Sequence, residues 1–143
     1  MKKLLFLILI TGFAFQVQAQ EGAKIEFKTK EIDYGEVEKG SDGTRVFEFT
    51  NTGDAPLIIK NTKSSCGCTV PSKPEKPVMP GEKAVIKVHY NTLRVGPFRK
   101  TVTIYTNAVN VPNGVVVLKI KGKVIDPNNV DLKREKPASP VLK

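Results

Sequence analysis

Between Lys24 and Asp126 the apolar residues recur mostly at every second position, and clusters of Gly, Asn, Asp, Ser and Pro interrupt them at roughly ten-residue intervals, the rhythm of short strands joined by turns. A period of two puts alternate side chains on opposite faces of an extended chain, so each such run predicts a strand with one dry face. Ile25 and Phe27 open the series, Ile32 to Gly35 continue it as a short extended piece, and Glu38 to Gly43 form a turn cluster. Arg45 to Asn51 reads as a strand, and Leu57 to Asn61 as the next. Between them Asn51 to Asp54 supply turn chemistry, since Gly and Asn tolerate positive φ and Asp bonds back to its own backbone. Ala84, Ile86, Val88 and Tyr90 share one face, predicted to point inward, opposite Val85, Lys87 and His89. Phe98, Val102 and Ile104 alternate with Arg99, Thr101 and Thr103, and Val116, Leu118, Ile120 and Val124 with Val117, Lys119, Lys121 and Lys123. Residues 71–81 carry Pro71, Pro74, Pro77 and Pro80, which cannot donate ladder hydrogen bonds, and predict an irregular crossing loop.

Six moderate or long strands and a short one, spread over the 102 residues 24–125, predict an all-β fold: an immunoglobulin-like β-sandwich of about seven antiparallel strands. A domain of that length buries roughly two thirds of its unfolded surface, enough for one core without staples. Helical periodicity and internal repeats are absent from the sequence.

Ahead of the first strand stand Lys2 and Lys3, an apolar run from Leu4 to Phe15 broken only by Thr11 and Gly12, and then Val17-Gln18-Ala19. Basic, apolar and small residues in that order form a secretory signal peptide, with cleavage expected after Ala19. Neither cysteine stands at the cleavage point to carry a lipid, so the mature protein is expected to be soluble. The domain plan is therefore a signal peptide over 1–19, a sandwich over 20–126 and a flexible tail over 127–143, the last because Pro127, Pro137 and Pro140 stand among mixed charges with few apolar anchors. Export into the periplasm or the exterior follows from the leader, which does not separate the two.

Composition narrows the function classes. The chain has 143 residues, 40% hydrophobic and 26% charged, within the globular range. No stretch reaches the roughly 20 apolar residues of a membrane span. The net charge of +9 falls to +7 once Lys2 and Lys3 leave with the leader. The remaining lysines are scattered and lack interleaved aromatics, so a nucleic-acid partner is not expected. The row Lys119, Lys121, Lys123 reads as a solvated strand face of the kind that discourages edge-to-edge pairing.

Ser64-Ser65-Cys66-Gly67-Cys68-Thr69 is the one chemically loaded stretch. Three readings compete for it. Outside the cytosol Cys66 and Cys68 can form a disulfide, with Gly67 allowing the bend; so small a loop stabilises by only about 1.6 kcal/mol on the chain-entropy formula, and an accessible bridge of this kind is easily reduced and open to redox use. Two thiolates also suit Cu(I), whereas structural zinc wants four ligands and the only further candidate is the single His89, placed on an exposed face by the alternation. Finally, free cysteines can pack as small hydrophobes. No other metal ligand set and no cofactor site is expected. Enzyme templates lack parts: there is one histidine, no nucleophile elbow and no Gly-rich phosphate loop, and Glu36, Glu38 and Glu48 read as solvated carboxylates. No catalytic residue is assigned.

Several strings carry a resemblance: Phe49-Thr50-Asn51-Thr52-Gly53, Pro56-Leu57-Ile58-Ile59, Ser65-Cys66-Gly67-Cys68-Thr69, Pro80-Gly81-Glu82, and Gly96 with Phe98 and Lys100. Over residues 25–125 the chain resembles a bacterial family of exported domains of unknown function, abundant in Bacteroidota secretomes. That family is similar to the Hydin, major-sperm-protein and PapD-like immunoglobulin folds. The resemblance implies a seven-stranded sandwich used as a scaffold or binding module, with no established activity and no agreed role for Cys66 and Cys68. The stretch Val109 to Gly114 makes a longer final hairpin connection than the family leads one to expect. The primary expectation is an exported, non-catalytic module that contacts an envelope protein through its loops or a strand edge. The alternative is a thiol-redox or copper-binding protein acting through Cys66 and Cys68.

Overall fold

The computed structural model describes residues 21–129, so the expected leader over 1–19 and the expected tail beyond residue 129 lie outside the described residues. Eight strands form two four-stranded sheets: β1 (Ile25–Phe27), β2 (Glu31–Glu38), β3 (Thr44–Asn51), β4 (Ile59–Ser64), β5 (Thr69–Ser72), β6 (Lys83–Tyr90), β7 (Gly96–Thr106) and β8 (Val115–Ile125). The first sheet runs β1-β3-β6-β5 and the second β2-β8-β7-β4. Phe47, Phe49, Ile86 and Val88 of the first sheet and Val102, Ile104, Leu118, Ile120 and Val124 of the second are at most 1% exposed and form the core. Those of β6, β7 and β8 fall on the rows that the alternation predicts, and the fold is the expected all-β sandwich. No helix among the described residues is long and apolar enough to cross a membrane.

Departures from the sequence pattern have local causes. β5 occupies Thr69–Ser72, where a proline-rich loop was expected to begin. It lies at the edge of its sheet, paired only with β6, and a proline is tolerated there because one side of the strand needs no ladder donor. Val78, further along the same connection, is buried and exchanges two backbone hydrogen bonds with Leu57 (2.8 and 2.9 Å), so the crossing is pinned at its middle. That bridge holds Leu57 outside β4, which starts at Ile59 and runs on to Ser64. β2 is longer than its apolar pattern and pairs with β8 in parallel, the one parallel partnership in the sandwich. Its pairing shifts register between Asp33 and Glu36, where Gly35 takes φ 64° and Asp33 Oδ1 accepts from the Gly35 amide at 2.8 Å.

The lysine row of β8 does not guard an edge, because β8 lies inside its sheet. Instead Lys121 pairs with Glu31 at 2.6 Å and Asp33 at 3.8 Å, and Lys123 with Glu36 at 3.2 Å. Acids on β2 thus face bases on β8 along an exposed surface, and the lysines beside Glu31 hold its carboxyl below the usual range.

The connections gather at two ends of the sandwich. At one end Asn51 is fully buried: its Nδ2 donates to the carbonyls of Ala55 (2.8 Å) and Val78 (2.9 Å), and its Oδ1 accepts from the amides of Gly53 (3.0 Å) and Lys24 (3.3 Å). The long β7–β8 connection closes this end, where Asn110 bonds both the amide and the carbonyl of Ile25 at 3.0 Å and so latches β1. At the opposite end the rings of Tyr34, Tyr90 and Phe98 cluster, Tyr90 stacked on Phe98 at 3.8 Å between centroids and Tyr34 edge-on to Phe98 at 5.2 Å. They fit because Gly122 stands opposite Phe98 on β8; a Cβ there would come within 2.7 Å of Tyr34 Cβ and 2.9 Å of Phe98 Cζ.

Candidate functional site

The cysteine segment lies at this aromatic end and carries the chain from β4, an edge of one sheet, to β5, an edge of the other. The structure joins Cys66 and Cys68 as a disulfide with the Cα atoms 5.3 Å apart, inside the usual span for bridged cysteines. The two cysteines are not equally exposed. Cys68 is buried at 9% exposure, Cys66 is half-buried, and Gly67 between them is exposed. The hydroxyl of Thr69, a residue 2% exposed, lies 3.6 Å from Cys66 Sγ and 4.0 Å from Cys68 Sγ.

Hydrogen bonds hold the corner independently of the sulfurs. Ser65 donates its amide to Thr101 O at 2.9 Å while its Oγ accepts from the Thr101 amide at 3.1 Å, extending the β4–β7 ladder by one residue. Ser64 Oγ donates to Cys66 O at 2.7 Å, the Thr69 amide also donates to Cys66 O, at 3.4 Å, and the Asn91 amide donates to Cys68 O at 2.9 Å.

That last bond ties the corner to the β6–β7 loop, residues 91–95. The loop is itself braced: the Leu93 amide donates to Asn91 Oδ1 at 3.0 Å, Thr92 Oγ1 to Ser41 O at 2.6 Å, and the Gly40 amide to Thr92 O at 3.3 Å. Thr92 is buried, so its neighbours are turned out, and Leu93 and Val95 stand 64% and 53% exposed. Beneath the loop Tyr34 Oη donates to Gly43 O at 3.0 Å, Arg45 lies 4.4 Å above its ring, and burial pushes the phenol pKa up to about 12.

His89 is on an exposed face, as the alternation predicts, with its Nδ1 3.1 Å from Thr44 Oγ1. Among the described residues no three His, Cys, Asp or Glu side chains gather as a metal would require. A Cu(I) site on Cys66 and Cys68 would need their bond open. Glu36 and Glu48 lie on exposed strand faces in ion pairs with Lys123 and Lys28, and Glu38 is exposed at the end of β2. Sequence reasoning missed Thr69, although it directly follows Cys68, and missed Leu93 and Val95, whose apolar character between two strands was the available signal.

The four strand edges are each blunted. β1 has three residues, β2 is interrupted by the shift at Gly35, β5 contains Pro71, and on β4 the Thr62 amide is taken by Asn61 Oδ1 at 2.8 Å between Lys60 and Lys63.

Comparison with known proteins agrees with this architecture. Residues 25–124 match the family described as protein of unknown function DUF1573. No curated protein matches the chain. Among solved structures it is similar to a protein of unknown function from Porphyromonas gingivalis W83, with a TM-score of 0.62 and 15% identity over 72% of this chain and 47% of that one. It therefore spans about half the length of that relative. The ASH/PapD-like domain 7 of human CEP192 superposes with a TM-score of 0.59 at 12% identity, covering 72% of this chain and 86% of that domain. A chain of the CsuC–CsuE complex, a chaperone with a tip adhesion subunit from Acinetobacter baumannii, gives 0.51 at 10% identity, over 72% of this chain and 57% of that one. Identities this low establish a shared fold and leave the function to the site.

Proposed function

Because the chain belongs to the DUF1573 family, whose fold it shares with PapD-like domains, we propose that it is an exported, non-catalytic immunoglobulin-like module that docks another protein of the cell envelope. The observation that carries this reading is the β6–β7 loop, which holds Leu93 and Val95 out in water on a backbone braced by four hydrogen bonds. Apolar side chains on a rigid loop lose little conformational freedom on contact, so their burial goes largely into affinity. The blunted edges favour docking through this loop over strand addition. The A. baumannii complex, in which a chaperone holds an adhesion subunit, supports the use of such a sandwich as a partner-binding module. Export rests on the basic, apolar and small-residue order of residues 1–19, and the flexible tail on the composition of the C-terminal segment.

Two experiments test the reading. Protein secreted through its own leader should begin at Gln20 by intact mass; a retained Met1 would contradict export. Affinity capture from the native envelope with the parent chain should recover a partner that the Leu93→Asp, Val95→Asp variant fails to recover while keeping the parent's thermal transition. Equal recovery by both would overturn docking through this loop.

A further inference from the structure

The docking reading leaves the cysteine corner without a task, and its features combine in a way that packing alone does not explain. We propose that Cys66-Gly67-Cys68 is a thiol–disulfide exchange site in which Cys66 trades bonds with a dithiol or disulfide of a partner, Cys68 resolves, and the Thr69 hydroxyl steadies the sulfur that carries the charge. This goes beyond docking and does not depend on it, since a small dithiol suffices for the chemistry.

Access assigns the two roles. An incoming thiolate must reach a sulfur along the line of the S–S bond, and Cys66 is the more exposed residue, half-buried where Cys68 is buried at 9% exposure. Attack of a partner thiolate on Cys66 Sγ forms the mixed disulfide and sends the electron pair of the old bond to Cys68 Sγ, which leaves as a thiolate and takes up a proton. The partner's second thiol then attacks its own sulfur in the mixed disulfide and gives up its proton. Cys66 departs as a thiolate and is protonated in turn. The partner dithiol has become a disulfide, and the corner has gained two electrons and two protons. In reverse, the reduced corner attacks a partner disulfide through Cys66, and Cys68 releases the product.

Thr69 is placed to act on this step. Its hydroxyl is within reach of both sulfurs, at 3.6 and 4.0 Å, and its side chain is buried away from water. A disulfide sulfur accepts a hydrogen bond weakly, whereas a thiolate accepts one strongly, so the contact gains strength as the bond opens. A donor that favours the charged form lowers the thiol pKa and makes the sulfur both a better leaving group and a more populated nucleophile. Cys66 Sγ, the nearer sulfur, receives the larger share.

The backbone allows the bond to open without losing the corner. The carbonyls of both cysteines and the amide of Ser65 are held by partners that do not involve sulfur. A bridge spanning one intervening residue also constrains little chain. Both points separate an exchange site from a structural clip.

The test uses the mature secreted protein. Treated with a small dithiol under native conditions, the parent should gain two alkylatable thiols with no loss of fold by circular dichroism. Limited alkylation followed by peptide mapping should label Cys66 before Cys68, at least tenfold faster. In the Cys68→Ser background the pH profile of Cys66 alkylation should have its midpoint below the ordinary thiol value of about 8.5. Adding Thr69→Val should move that midpoint upward, and Thr69→Ser should restore it. A disulfide that opens only on denaturation, equal labelling of the two cysteines, or a pH profile indifferent to Thr69→Val would each overturn the proposal. The mapping on the parent chain keeps the test decisive even if a variant fails to fold.

Discussion

The two ends of the sandwich close in opposite ways. At the asparagine end the closing group is the fully buried Asn51 side-chain amide, whose two donors and two acceptor sites are all taken inside the protein, with the exposed Asn110 latching β1 from outside. At the cysteine end the closing groups are aromatic rings under a loop and a corner, with Leu93, Val95 and Gly67 left in water and Cys66 half-buried. Buried and fully satisfied polar groups are costly to disturb, so the first end is suited to stability. The second keeps its backbone equally well tied, carries the half-buried Cys66, and turns out Leu93 and Val95 further, at 64% and 53%, than the asparagine end turns out Met79, Ile58 and Val109, at 49%, 44% and 40%. On the proposed reading the first end serves stability and the second contact.

That division is breakable by mutation. The largest effect is expected for Asn51→Ala, which removes a fully buried side chain and its four hydrogen bonds, leaving the Val78 carbonyl with the Leu57 amide alone; a loss of about 2–4 kcal/mol is expected in denaturant unfolding. Cys66→Ser with Cys68→Ser should cost at most about 1.6 kcal/mol, the loop-entropy value for so short a ring. A loss as large as that of Asn51→Ala would make the corner a stability element and erase the contrast. Tyr34→Phe removes the bond to Gly43 O and should cost about 1 kcal/mol.

The same tyrosine carries a pH signature. Its pKa is raised from 10.0 to about 12 in the folded protein, so the native state retains a proton that the unfolded chain gives up. The contribution is fully present below pH 10 and is lost as pH rises through about 12. Between those values the parent should lose more stability than Tyr34→Phe, and parallel curves for the two would count against the burial of the phenol. The smallest effect belongs to the exposed ladder: Glu31→Gln should leave unfolding unchanged in ordinary salt, although Glu31 pairs with Lys121 at 2.6 Å. The lowered Glu31 pKa sets the sign of whatever contribution remains, which would vanish as pH falls through the folded value.

How legible this arrangement was in the sequence depended on how many constraints each residue carried. The inward rows of β6 and β8 stood out because only burial acts on them, and alternation reports burial directly. β5 was hidden because Pro71 reads as a strand breaker, and only the sheet order reveals that its strand needs hydrogen bonds on a single side. The parallel course of β2 beside β8 was likewise invisible, since pairing direction depends on where the chain crosses between sheets. The lysines of β8 could be read as exposed but not as paired, because their partners lie on a strand about ninety residues earlier. At the corner, two cysteines one residue apart fit a disulfide, a copper ligand pair or simple packing equally well by spacing. The unequal burial of the two cysteines and the position of Thr69 arise only from the fold.

The most direct test of the division between the ends is site-specific photocrosslinking in cells exporting the chain through its own leader, comparing two exposed apolar positions. Leu93 at the cysteine end is 64% exposed and Ile58 at the asparagine end is 44% exposed, so a probe at either meets water in the free protein. A discrete crosslinked partner from Leu93, absent from Ile58, is the expected result. The same partner from both positions, or from Ile58 alone, would contradict the assignment of contact to the cysteine end.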